Sequence, residues 1–63
     1  MNDWQRESDM IFTQITTGDF PDFSIANRAI CAIYVPDMSI SRAGIAHALK
    51  RLERYYAQER SDD

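Results

Sequence analysis

"SISRAGIAHALKRLERYY", residues 39–56, decides the fold. Its apolar positions Ile45, Ala48, Leu49, Leu52, Tyr55 and Tyr56 recur at intervals of three and four, which lines them along one face of a helix. Ser41 fits the N-cap, where a hydroxyl accepts a hydrogen bond from an amide of the first turn. Ile40 before it and Ile45 at the fourth helical position make a hydrophobic staple. Ala43, Ala46, His47, Lys50, Arg51 and Arg54 fall on the opposite side. The stretch therefore predicts an amphipathic helix from Ser41 through Tyr56, with the "ERSDD" end, from about residue 59, fraying into solvent.

Working back toward the N-terminus, a first helix is expected from Trp4 to about Thr16. Asn2 or Asp3 is placed to cap it, and Gln5 completes a capping box on Asn2. Trp4, Ser8, Ile11 and Ile15 share one stripe, widened by Met10 and Phe12, and Gly18 is a stop signal. "GDFPDF" (18–23) is turn chemistry, with Phe20 and Phe23 able to tuck rings beneath the loop. In "SIANRAICAIYV" (24–35), Ser24 or Asp22 can cap a helix with Ile25, Ala29, Ala32 and Ile33 facing inward. The tail "ICAIYV" also reads as a strand. Helix through about Ile33 is favoured, because Ala26, Arg28, Ala29 and Ala32 are weak strand formers. Val35 precedes Pro36, which disfavours the α region there. The expected architecture is all-α: one small domain over residues 1–63, three helices, the last the longest.

Sixty-three residues are few. A chain of this length buries only about 60% of its unfolded surface, so association is the remaining source of core. A homodimer is expected, with Trp4, Phe12, Leu52, Tyr55 and Tyr56 at its seam, since large aromatics often anchor interfaces. Cys31 is the only cysteine, which excludes a disulfide scaffold and points to a reducing cytoplasm; flanked by Ile30 and Ala32 it reads as a small buried hydrophobe. Cys31 and His47 are too few soft ligands for a zinc site, which takes about four, so no metal or other cofactor is expected. No run reaches the roughly 18 apolar residues of a membrane span, and "MNDWQRESDM" is not signal-like. The net charge of −3 is divided unevenly. Residues 1–38 carry six carboxylates against Arg6 and Arg28, whereas residues 39–60 carry five cations against Glu53 and Glu59.

Ser41-Arg42-x-x-Ile45-x-x-Ala48-Leu49-x-x-Leu52-Glu53 resembles the recognition helix of GntR-type winged helix-turn-helix repressors, and more loosely that of MarR-type ones. The resemblance covers 13 residues, 41–53, and the connection "VPDMSI" (35–40) is longer than the turn of those families. It implies DNA binding, with Ser41 and Arg42 on the phosphate backbone. Ala43, Gly44 and Ala46 would present a small surface to the groove, and His47 and Lys50 would reach further.

Catalysis finds no support in the residues. His47 has no carboxylate or nucleophile beside it by local spacing, the serines are better explained as caps, and two glycines make no phosphate loop. The chain thus reads as a small non-enzymatic regulator. In one reading it binds and inhibits another protein, such as a host transcription regulator, in the manner expected of phage- or plasmid-encoded proteins of this size. In the other it is itself a DNA-binding repressor. Both use Ser41, Arg42, His47, Lys50, Arg51 and Arg54 as the binding set.

Overall fold

The computed structural model describes residues 3–60. They form three helices, α1 (Asp3–Thr17), α2 (Phe23–Tyr34) and α3 (Arg42–Arg60), and among the described residues there is no strand. The all-helical expectation holds, and "ICAIYV" is helical through Tyr34. The cap expected from Asn2 and the tail from residue 61 lie outside the described residues; α3 itself continues to Arg60.

Trp4, Ser8 and Phe12 meet His47, Arg51 and Tyr55 in the same order, so α1 and α3 run in the same direction. α1 and α3 pack directly on each other, and α2, which links them in sequence, packs mainly on α3. Each helix supplies one large, wholly buried aliphatic side chain: Ile11, Ile30 and Leu52. Ile15, Ala26, Tyr34, Ala48 and Tyr56 complete the core, with Phe20, Phe23, Ile40 and Ile45 packed around it. A buried Ile or Leu contributes roughly 1.5–3 kcal/mol, so those three side chains carry much of the hydrophobic stabilisation available to so short a chain.

Local chemistry sets the boundaries. α1 ends at Thr17, and the Gly18 amide donates back to the Ile15 carbonyl at 3.2 Å. Asp22 caps α2, its carboxylate accepting from the Ile25 amide at 2.9 Å. Val35 keeps helical angles (φ −62°, ψ −42°), contrary to the expectation drawn from Pro36. Proline's effect on the residue before it is a preference, and α2 stops because Pro36 has no N–H with which to extend the ladder. Asp37 then organises the turn. Its carboxylate accepts from the Ser39 hydroxyl at 2.7 Å and the Ser39 amide at 3.0 Å, and these bonds hold its pKa below the usual carboxylate range.

The face that α2 buries differs from the expected one. Ala26, Ile30 and Tyr34 point inward, whereas Ile25 is 40% and Ile33 55% exposed, and Ala32 is exposed too. Cys31, expected inside, is exposed, with its Sγ 3.8 Å from Asn27 Oδ1. Met10 also stands out, at 38% exposure, instead of widening the α1 stripe. The cause in α2 is that it is apolar nearly all round, so two stripes about 100° apart are both plausible inner faces.

Candidate functional site

α1 and α3 are joined by a ladder of side chains at four-residue intervals. At its lower rung the Trp4 and His47 rings stack, centroids 4.0 Å apart and planes 19° from parallel. One turn on, the Arg51 guanidinium donates to Asp9 Oδ1 at 2.6 Å and to Ser8 Oγ at 3.2 Å, and lies 4.4 Å above the Phe12 ring. Phe12 meets Tyr55 edge to face at 5.8 Å, and Tyr55 meets Tyr56 likewise at 5.1 Å. The Tyr56 hydroxyl closes the series, donating to the Phe20 carbonyl at 2.6 Å. Ser8 is the one buried polar side chain of the described core, and Arg51 supplies its partner. The Arg51–Asp9 pair is itself exposed on both sides, so its charge–charge part is worth no more than about 1 kcal/mol.

A second contact fixes the start of α3. Glu7 Oε1 accepts from the Ser41 hydroxyl at 2.5 Å and from the Ser41 amide at 3.1 Å, while Ser41 Oγ accepts from the Gly44 amide at 3.1 Å. The serine cap expected from the sequence is therefore present, and a carboxylate from α1 sits behind it at the positive end of the α3 dipole. This requires α1 to come very close. A Cβ on Gly44 would stand 2.6 Å from Glu7 Oε1 and 2.7 Å from Glu7 Cβ. Gly44 is accordingly buried against α1 and is not the open surface that the repressor-helix likeness implies.

The six residues of the expected binding set thus divide. Ser41 is engaged by Glu7, His47 by Trp4 and Arg51 by Asp9 and Ser8. Arg42, Lys50 and Arg54 are exposed and form no ion pair among the described residues. They span thirteen residues, about 18 Å along the helix, with exposed Ala43, Ala46 and Ala57 between and beyond them and Glu53 interrupting the row. Lys50 and Arg54, with His47 and Arg51, line a shallow open groove of about 390 Å³. The residues expected at a dimer seam also make contacts within the chain. Leu52 and Tyr56 are in the chain's own core, and Trp4, Phe12 and Tyr55 are taken up by the ladder.

Residue spacing within α3 said nothing of Glu7, Ser8, Asp9 or the closeness at Gly44, because their partners lie more than thirty residues away. Two signals were present nonetheless. Ser8 sits in an otherwise apolar stripe, which asks for a donor from another helix. Gly44 sits inside a helix with no turn to make, which marks a close backbone approach.

Among the described residues no helix is long and apolar enough to cross a membrane, and no group of His, Cys, Asp and Glu is placed to hold a metal ion. Every buried side-chain nitrogen and oxygen there has a partner. The chain matches no family model, no curated protein and no solved structure.

Proposed function

We propose that the protein is a non-enzymatic regulatory module that binds another protein through the outer face of α3 and so keeps that protein from its own partner. Arg42, Lys50 and Arg54 supply the attraction, and the alanines beside them allow close approach, so the surface suits an acidic face on the target. A transcription regulator is one class of target that fits a small acidic chain with one cationic helix face.

One observation favours a protein target over DNA: the Glu7 carboxylate occupies the N-terminus of α3. In a recognition helix that end faces phosphate with amides and positive dipole. Here it is already neutralised by an anion, which would repel a phosphate. Asp9 likewise draws Arg51 back toward α1.

Affinity capture with the tagged chain tests the reading. A single host protein should be retained by the wild type and lost by the Arg42→Glu, Lys50→Glu, Arg54→Glu variant, and an unrelated duplex should not shift at low salt. A duplex shift that weakens steeply with salt and disappears in Arg42→Ala and Lys50→Ala would reverse the assignment in favour of a DNA-binding repressor.

A further inference from the structure

Arg51 differs from the other cations of α3 in being held on one edge and free on the other. Its Nη1 donates to Asp9 Oδ1 at 2.6 Å and to Ser8 Oγ at 3.2 Å, and the guanidinium carbon lies 4.4 Å from the centre of the Phe12 ring. A guanidinium carries five N–H donors. The three on Nε and Nη2 have no partner among the described residues, and the side chain keeps 43% exposure. We infer that this free edge anchors the α3 contact by receiving one carboxylate side chain of the acidic target. The carboxylate enters the groove that Arg51 lines with His47, Lys50, Glu53 and Arg54. The inference rests on the reading of α3 as the target-binding face, and adds to it the residue that fixes the target.

Geometry favours Arg51 over its neighbours. The Nε and Nη2 hydrogens of a guanidinium form a rigid fork that matches the two oxygens of a carboxylate. Lys50 offers a point charge on a flexible stem, and Arg54 has a fork but no ion pair among the described residues to hold it. Arg51 is already positioned by Asp9, Ser8 and Phe12, so it has less rotamer freedom to lose when a target arrives. Asp9 is therefore a positioning residue for this contact as well as a partner in the ladder.

Charge selects the class of anion. Lys50 and Arg54 stand one turn apart with Arg51 between them in sequence, and like charges at that spacing repel. An anion entering among them relieves the repulsion. Glu53 lines the same groove, and Asp9 sits on the other edge of Arg51, so three cations face two carboxylates. The excess is a single positive charge, which one Asp or Glu side chain neutralises. A phosphorylated side chain brings about two negative charges at neutral pH and would leave the site with an excess of anion.

Fluorescence anisotropy of a fluorescein-labelled octaglutamate peptide, added to the full chain at low salt, tests the assignment. The wild type should bind it. Arg51→Lys keeps the charge but removes the fork, and should weaken binding about tenfold while retaining helical circular dichroism. Arg28→Lys, the same exchange on α2, should leave the affinity as it is. A second readout uses the unaltered chain. In a proton–nitrogen correlation spectrum the Arg51 Nε–H resonance, assigned by its absence in Arg51→Lys, should move as the peptide is added, and that of Arg28 should stay. Wild-type affinity in Arg51→Lys, or an Arg51 resonance that does not move, overturns the inference. If Lys50→Glu with Arg54→Glu still abolishes binding in that event, the outer-face reading stands without it. A wild type that ignores the peptide takes down both. A phosphoserine peptide of equal net charge, held more tightly than octaglutamate, overturns the choice of a carboxylate.

Discussion

Replacing a glycine inside a helix by alanine normally stabilises the helix by about 1 kcal/mol, because glycine has more backbone freedom to lose on folding. At Gly44 the sign should reverse. The added methyl would meet Glu7 Oε1 at 2.6 Å and Glu7 Cβ at 2.7 Å, against an ordinary carbon contact of about 3.5–4.0 Å. The carboxylate can rotate away, but the Glu7 Cβ is fixed to the α1 backbone. Relief therefore requires α1 and α3 to part by roughly 1 Å, which also pulls the carboxylate off Ser41. Overpacking of this kind costs about 1–3 kcal/mol, and loss of support at a cap about 1 kcal/mol more. Set against the propensity gain, the net destabilisation is on the order of 2 kcal/mol. For a domain of this size that is a fall in Tm of about 10 °C. Thermal and urea unfolding followed by circular dichroism gives the number, and a second background tests its cause. In Glu7→Gly the obstructing atoms are gone, and adding Gly44→Ala should there raise stability by about 1 kcal/mol. A Gly44→Ala protein more stable than its parent in both backgrounds would refute the close approach of α1 to α3.

Other substitutions probe the ladder and the buried phenols. Tyr56→Phe removes the donor to the Phe20 carbonyl and should cost about 1 kcal/mol, seen as a lower urea midpoint at unchanged slope; an unaltered midpoint would show that this bond carries no net stability. Asp9→Asn should shift stability by less than about 0.5 kcal/mol, since the pair is exposed. Arg51→Ala should cost roughly 1 kcal/mol, because it also uncovers the Phe12 ring and leaves buried Ser8 without its donor; the opposite ranking contradicts the ladder. Burial pushes the Tyr34 phenol above its ordinary value, so the fold favours its protonated form. Its contribution is complete below the unfolded-state pKa and is lost as pH rises through the folded-state one. Tyr34→Phe should accordingly flatten the alkaline limb of the stability–pH curve, and an unchanged limb argues against burial as the cause.

The third helix was readable from sequence because its signals agree: a serine cap, an apolar stripe at steps of three and four, and charges opposite. Ala48, Leu52 and Tyr56 are buried as that pattern requires. α2 was readable as a helix but not in its orientation. With Ile25, Ala26, Ala29, Ile30, Ala32 and Ile33 spread around its circumference, periodicity does not choose an inner face. The choice is made by packing, chiefly on α3, which leaves Ala26, Ile30 and Tyr34 inside, and Cys31 turns outward with it. The candidate surface was half readable. Arg42, Lys50 and Arg54 stand where helical geometry puts them, but nothing near Ser41, His47 or Arg51 in sequence shows that Glu7, Trp4 and Asp9 come to meet them. Those meetings are products of the α1–α3 register, a tertiary quantity.

Trp4 is the chain's single tryptophan, and its indole lies face to face with an imidazole on the helix that carries the cationic row. Lys50 follows His47 by less than one turn. The molecule thus has an intrinsic optical reporter beside its exposed cations. A target settling on that face disturbs the emission of one fluorophore, so docking can be followed on the unlabelled natural chain.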